Sequence, residues 1–237
     1  MQIFENLIYI PCKAKSSRLK NKNILIFNKE RLFKITINQA KKLKMNKFIL
    51  VDSDSRFILN SSKKLGVNIY KRKKVNTKKN TSTSKCLLDV LDSYNKKKIF
   101  FKNIIILQVT SPLRRHTDIL KAYRKFINKK ADSVVSVCKT FTPTQWTNTL
   151  NNNEELDNFI SNKYLGVISQ KLKDHYQING AIYIYKTKAF LKNKKTLNLK
   201  KSYAFVMPRA SSIDIDNKFD FFLAKQISKI KSYYLYD

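Results

Sequence analysis

The sequence predicts an α/β fold, a mostly parallel sheet with helices on both faces, and three observations predict it. Apolar strand-like runs alternate with helix-spaced segments along most of the chain. The 237 residues, 43% of them hydrophobic, are enough to bury one core. Neither an internal repeat nor a flexible Gly/Ser linker divides the chain, so residues 1–237 are read as a single domain.

The elements follow in order. Leu7 to Pro11 is an apolar run that ends in proline, as a buried strand does, and a polar loop from Cys12 to Asn23 follows. Phe33 to Leu43 has helical spacing, Lys47 to Val51 is a second strand, Ser55 to Lys64 a helix, and Val67 to Tyr70 a short third strand. Cys86 to Tyr94 is helical, Asn103 to Gln108 strongly strand-like, Thr117 to Asn128 a helix, and Ser133 to Cys138 another strand. From Lys139 to His175 the pattern breaks into polar, Asn-rich sequence. Strands resume at Gly180 to Tyr185 and Tyr203 to Met207. Residues 139–178 are therefore expected to form a small excursion that serves dimerisation or covers a substrate. In a parallel sheet ligands lie beyond the carboxyl ends of the strands, so the loops after Pro11, Asp52, Tyr70 and Gln108 are expected to line one crevice.

Charge narrows the partners. Lys and Arg number 49 against 16 Asp and Glu, a net charge of +33, which favours anionic substrates and weak adhesion to polyanions. Only eight of the 49 are Arg, and the lysines are spread along the chain rather than gathered in a nucleic-acid-reading module. No specific nucleic acid is expected as a partner. No apolar run reaches membrane-spanning length and the first residues lack a signal-peptide pattern, so no membrane association and a cytoplasmic location are expected. Cys12, Cys86 and Cys138 are far apart and lack metal-ligand spacing, which fits free thiols.

The segment Ser211 to Asp216 carries the sharpest chemistry. Read as a strand, it places Asp214 and Asp216 on one face and Ile213 and Ile215 on the other. Two carboxylates so placed repel unless a cation lies between them, and oxygen ligands suit Mg²⁺ or Mn²⁺. Alone, the pattern equally suits an edge strand whose last Asp caps the next helix.

Four blocks extend the reading. Ile10 to Asn23 (IPCKAKSSRLKNKN) resembles the IPARxGSKxLPxKN loop of the acylneuraminate cytidylyltransferases, Gln108 to Arg114 (QVTSPLR) their QPTSPLR, Asn179 to Ile184 their NGAIYI, and Ser212 to Asp216 their SIDID. Gln145 to Leu150 is similar to bacterial members acting on sialic acid and related nonulosonates. The resemblance implies a Rossmann-like nucleotide-diphospho-sugar transferase fold, a homodimer, and transfer of CMP from CTP to the anomeric hydroxyl of an acidic nine-carbon sugar, with release of pyrophosphate. It implies Lys13, Arg18, Lys22 and Asn23 at the nucleotide's phosphates, and Arg72, Ser82 and Ser84 at the cytidine. Gln108, Asn179 and Tyr183 would face the sugar, Asp214 and Asp216 would hold Mg²⁺, and Lys13, Lys22, Asp214 and Asp216 would carry catalysis. Plain structural roles stand beside these: a solvated lysine at 13 or 22, a helix cap at Ser82 or Ser84, and a half-buried structural tyrosine at 183. Departures from the family pattern are the loop glycines, replaced at Ala14 and Lys15, the loop arginine, replaced by Lys13, and the positions of Ser169 and Gln177, where relatives carry arginine. Two other readings remain on sequence: a cytidylyltransferase for another 3-deoxy-ulosonate, and a non-catalytic basic protein that binds nucleotide or polyanion on the same scaffold.

Overall fold

A computed structural model describes residues 1–14, 16, 18–78, 80–194, 200–230 and 232. Nine strands and six helices are present among them. Seven strands form the main sheet: β1 (Gln2–Pro11), β4 (Lys47–Ser53), β5 (Asn68–Lys71), β6 (Ile99–Leu107), β7 (Ser133–Lys139), β8 (Tyr176–Lys186) and β9 (Ser202–Val206), in the spatial order β5-β4-β1-β6-β8-β7-β9. A separate hairpin pairs β2 (Ile26–Phe27) with β3 (Glu30–Arg31). The pairs β1 with β4, β1 with β6, β4 with β5, and β7 with β9 are parallel, whereas β8 runs antiparallel to both neighbours. The mostly parallel sheet expected from the alternation is thus present, with one reversed strand that the apolar pattern of Gly180 to Tyr185 does not reveal.

Both faces of the sheet are covered, which is why its strands are apolar on both sides. Alternate side chains of a strand point to opposite faces. Ile8, Ile10, Ile49, Val51, Ile105 and Leu107 pack on one side with α1 (Leu32–Lys41), α2 (Arg56–Lys64), α4 (His116–Asn128) and α6 (Lys218–Ile227). Leu7, Tyr9, Leu50, Ile104 and Ile106 pack on the other with α3 (Thr83–Lys96) and α5 (Thr187–Asn193). Between β7 and β8 the chain makes only three-residue 3₁₀ turns, and Phe141, Leu150, Leu156, Leu165 and Ile168 are exposed there. The segment 139–178 expected as an excursion includes these turns, with its first residue in β7 and its last three in β8.

One element differs from expectation. Ile213 to Asp216 forms no strand: Ser211 and Ser212 close a short 3₁₀ turn, and the next four residues run unpaired until Asn217 caps α6 through the Asp220 amide. Ile213 and Ile215 are nevertheless buried, and the amide of Ile215 donates to the Thr110 carbonyl at 2.8 Å. Apolar alternation persists because the segment lies across the edge of the sheet, held by that loop rather than by a ladder.

The loop itself is fixed by Arg114, which is fully buried. Its Nη1 donates to the carbonyls of Gln108 (3.1 Å) and Ala181 (2.6 Å), and its Nη2 to Gln39 Oε1 (2.8 Å). Burial pushes this guanidinium down to about 9, with Asp118 opposing, so it is still a cation at neutral pH. Lysine cannot reproduce a planar fork, and the carbonyls it abandons would stay buried without donors. Arg114→Lys is expected to cost about 2–3 kcal/mol of stability in urea denaturation; a loss below about 0.5 kcal/mol would show that the fork is dispensable.

Candidate active site

Beyond the carboxyl ends of β1, β5 and β6 lies a crevice of about 440 Å³, lined by Pro11, Lys13, Ser16, Arg18, Lys22, Asn23, Arg72, Thr77, Thr81, Thr83, Cys86, Gln108, Val109 and Thr110. It is where strand order and polarity placed it. The loop after β1 is closed by its own side chains. Asn23 donates to the Lys13 carbonyl at 2.8 Å, and the Ala14 amide donates to Asp54 Oδ1 at 2.6 Å, which anchors the loop to the lead-in of α2. Asn21 adopts the left-handed conformation (φ 55°) where the loop turns into the Lys22–Ile24 3₁₀ turn, a geometry asparagine tolerates. Lys15 and Ser17 lie outside the described residues.

The cations of this loop are already engaged. Lys22 is buried and its Nζ reaches Asp216 Oδ1 at 2.9 Å, while Arg18 Nη2 reaches Asp216 Oδ2 at 2.9 Å from a far more exposed position. First and last blocks of the chain, 194 residues apart, therefore meet across one carboxylate. Lys13 projects to the opposite lip and donates to the Lys78 carbonyl at 3.0 Å.

A second depression, about 480 Å³, adjoins the carboxylates. Phe141, Gln177, Ile178, Asn179, Gly180, Tyr183, Ser212, Ile213, Asp214, Phe219, Asp220 and Leu223 line it. Asn179 is buried and fully occupied: its amide nitrogen donates to Ser212 Oγ (2.8 Å), and its oxygen accepts from Ser136 Oγ (2.6 Å) and the Ala181 amide (3.1 Å). It shapes the floor. Gly180 has φ +73°, and a Cβ there would sit 3.6 Å from Asp214 Oδ2, so glycine serves the backbone turn beside the carboxylate more than the space.

Asp214 lines the second depression and reaches the first through Thr110. Its side chain is open to solvent but surrounded by protein atoms, and burial raises its pKa, as does the charge of Asp216. A hydrogen bond from the Thr110 hydroxyl and the charge of Lys22 act the other way. Tyr183 is half-buried, and its hydroxyl is raised first by burial and then by the Asp214 charge. Lys13, Arg18, Lys22, Asn23, Arg72 and Gln108 thus share the first crevice; Asn179, Tyr183 and Asp214 share the second; Asp216 is tied to the first through Lys22 and Arg18.

Two of the expected positions move by one residue. Ser82 is exposed and caps α3, accepting from the Lys85 amide at 3.2 Å, and neither Ser82 nor Ser84 reaches the crevice. Thr81 and Thr83 do, because alternate residues leading into the helix face the same way. Sequence reasoning did not single out Asp52, Tyr9, Asp54 and Thr110. The signal for Asp52 was present, an acid ending the apolar run Phe48 to Val51 beside the expected crevice.

An open α/β edge with a cationic loop facing two carboxylates defines a nucleotide-handling α/β protein. The profile of the family described as cytidylyltransferase matches residues 7–233, and the chain belongs to that family. It is 27% identical over 232 residues to "Post-translational flagellin modification protein B" of Campylobacter coli, covering 96% of this chain and 97% of that one. It is 26% identical over 227 residues to the pseudaminic acid cytidylyltransferase of Campylobacter jejuni strain 81-176, covering 95% and 97%. With the N-acylneuraminate cytidylyltransferase of Streptococcus agalactiae strain 2603 V/R it shares 28% over 215 residues, 90% of this chain but 50% of that longer protein. Among solved structures, CMP:2-keto-3-deoxy-manno-octonic acid synthetase complexed with CTP shares the fold, with a TM-score of 0.67 at 13% identity over 95% of this chain and 98% of that one.

The cap at Ser82 yields a direct check. Ser82→Ala is expected to lower stability by about 1 kcal/mol through loss of the cap, read as a lower melting temperature. An unchanged melting temperature together with weakened nucleotide binding would return Ser82 to the crevice.

Proposed function

We propose that the chain transfers CMP from CTP to the anomeric hydroxyl of a nonulosonic acid, releasing pyrophosphate. The observation that carries this reading is the seam between the two depressions: a crevice rich in cations and threonines on one side, a hollow with Tyr183 and Gln177 on the other, joined by Asp214, which lines the hollow and bonds Thr110 of the crevice, and by Asp216, which holds Lys22 and Arg18 of the crevice. Such a border is where a nucleotide's phosphates and an acceptor hydroxyl meet. The relatives that match this chain end to end, named for flagellin modification and pseudaminic acid, favour a nonulosonic acid as acceptor.

Nucleotidyl transfer needs charge neutralised and reactants aligned rather than a protein nucleophile. Lys13, Arg18 and Lys22 supply cations where phosphates enter, and Thr77, Thr81 and Thr83 supply hydroxyls along the wall. Tyr183, on β8, lines the depression proposed for the acceptor, whereas Gln108, expected at the sugar and lying just past β6, lines the crevice on the nucleotide side. Phe141, Ile178 and Phe219 give the second depression an apolar rim suited to acyl or deoxy groups of the acceptor.

Asp214 and Asp216 fit a divalent metal. Both are oxygen donors, and Asp216 already gathers the cations Lys22 and Arg18 at this place. No group of three or more His, Cys, Asp or Glu occurs among the described residues, so an ion here would take its other ligands from water and phosphate, as Mg²⁺ does. When bound, Mg²⁺ or Mn²⁺ supplies Lewis-acid stabilisation of developing phosphate charge. Two further elements belong to the proposal: a homodimer formed through the exposed apolar residues of 139–178, and work in the cytoplasm. No helix of the described residues is long and apolar enough to cross a membrane.

The deciding experiment is release of pyrophosphate from CTP with a panel of nonulosonic acids, with and without Mg²⁺. Metal-dependent release with at least one of them, and preference for CTP over ATP and GTP, is expected. Tight CTP-independent binding of nucleic acid at physiological salt, with no turnover, would favour the basic binding protein instead. Asp216→Asn is expected to lower kcat by ~10²-fold or more while the fold persists. It removes a carboxylate proposed to hold the metal and the one shared by Lys22 and Arg18. An unchanged rate would remove Asp216 from the reaction.

A further inference from the structure

The base end of the crevice is built around a charge that the reaction itself does not use. Asp52, the penultimate residue of β4, is completely buried. Its Oδ2 accepts from the Tyr9 hydroxyl and from Arg72 Nη2 (2.8 Å), and both of its oxygens lie 3.1 Å from Arg72 Nε. The Arg72 Nη2 also approaches the Asp52 carbonyl at 3.4 Å. The guanidinium thus spends its Nε and Nη2 edge on Asp52. Among the described residues no protein acceptor meets Nη1, and Arg72 lines the crevice. Tyr9 is buried from the neighbouring strand β1, in register with the run that leads to Asp52.

We propose that Tyr9 and Asp52 are positioning residues that turn Arg72 into a fixed, charge-compensated donor for the pyrimidine edge of CTP. This rests on the nucleotidyl-transfer reading of the site. An arginine with a free side chain would seek the phosphates, the strongest anions that enter the crevice. Arg72 carries its counter-charge with it, so the pair is neutral in sum and offers hydrogen-bond geometry without net attraction for a triphosphate. Lys13, Arg18 and Lys22, on the loop after β1 that lines the same crevice, keep that attraction. Clamping also removes the rotamer freedom that binding would otherwise have to freeze. Division of labour follows: phosphates are drawn by the loop cations, the base is read by a neutral pair.

Two variants separate this from a structural role. Tyr9→Phe removes one hydrogen bond to Asp52 and keeps the ring in the core; Asp52→Asn removes the compensating charge. Affinities for CTP, UTP and GTP are measured by calorimetry on each folded variant and on the wild type, alongside kcat and KM for CTP. Tyr9→Phe is expected to weaken CTP binding about 3–10-fold, with a larger effect on KM than on kcat. Asp52→Asn is expected to lower the ratio of CTP to GTP affinity by 10-fold or more, because an uncompensated Arg72 gains attraction for any triphosphate. Melting temperatures identify a variant that fails to fold; if Asp52→Asn does, Tyr9→Phe decides alone. An unchanged CTP affinity and selectivity in folded variants overturns the proposal, as does a uniform loss for all three nucleotides. A wild type that binds CTP selectively but turns over no acceptor defeats the transfer reading and leaves the positioning role to be judged on the binding ratios. A wild type that binds no nucleotide defeats both.

Discussion

The candidate site depends on one buried guanidinium. Where β6 leaves the sheet at Gln108, its ladder with β8 stops and carbonyls are left facing the interior. Such groups must be paired or they destabilise the fold. Arg114 pairs them, linking the Gln108 and Ala181 carbonyls to Gln39 on α1, and so it holds the loop from Val109 to Pro112 in one conformation. That loop then does two things. The Thr110 carbonyl receives the Ile215 amide, and its hydroxyl bonds Asp214. The position of Asp214, and of the segment that carries Asp216, thus traces back to a cation that touches neither.

Charge has two different meanings in this molecule. Most of the +33 belongs to exposed lysines on long, mobile stems, and at physiological salt their influence fades over about 8 Å. They draw anions toward the surface and give no geometry. Geometry comes from the few cations held by carboxylates: Lys22 and Arg18 on Asp216, Arg72 on Asp52. With only 16 acids available, their placement decides which of the 49 basic residues are fixed. Asp216 and Asp52 therefore select which cations of the crevice are held by carboxylates, out of a large background.

What the sequence disclosed follows the range of the forces involved. β1, β4 and β6 were legible because strands buried on both faces need continuous apolar runs, and the helices between them because one face is buried. The crevice followed from strand order. The reversal of β8 was not legible, since an apolar strand reads the same in either direction. The strand expected at Ile213 to Asp216 failed for a related reason: Ile213 and Ile215 alternate into the core, but the hydrogen bond that holds them comes from the Thr110 loop, far away in sequence. Ser82 and Ser84 were displaced by Thr81 and Thr83 because a helix start fixes which residues face inward, and a run of alternating Ser and Thr does not show where the helix begins. Asp52 was visible as a residue and invisible as a partner of Arg72.

The loop after β1, proposed to face phosphates, is closed by side chains where the family pattern has glycines. A glycine-rich loop binds by letting the backbone approach the ligand; here closure comes from Asn23 on the Lys13 carbonyl and from Asp54 on the Ala14 amide. The loop is thus tied at Lys13 and Ala14 before any ligand arrives, and Asp216 holds both Arg18 and Lys22. In the proposed reaction, phosphate oxygens must compete with Asp216 for Arg18 and Lys22. The two do not yield equally. Arg18 has 69% of its side-chain surface exposed, so its ion pair is worth little and exchanges readily. Lys22, at 10%, has given up its water and needs an anion at all times, so it leaves Asp216 only when another oxygen replaces it. A triphosphate in that reaction would therefore draw Arg18 from Asp216 more readily than Lys22, an order set by burial.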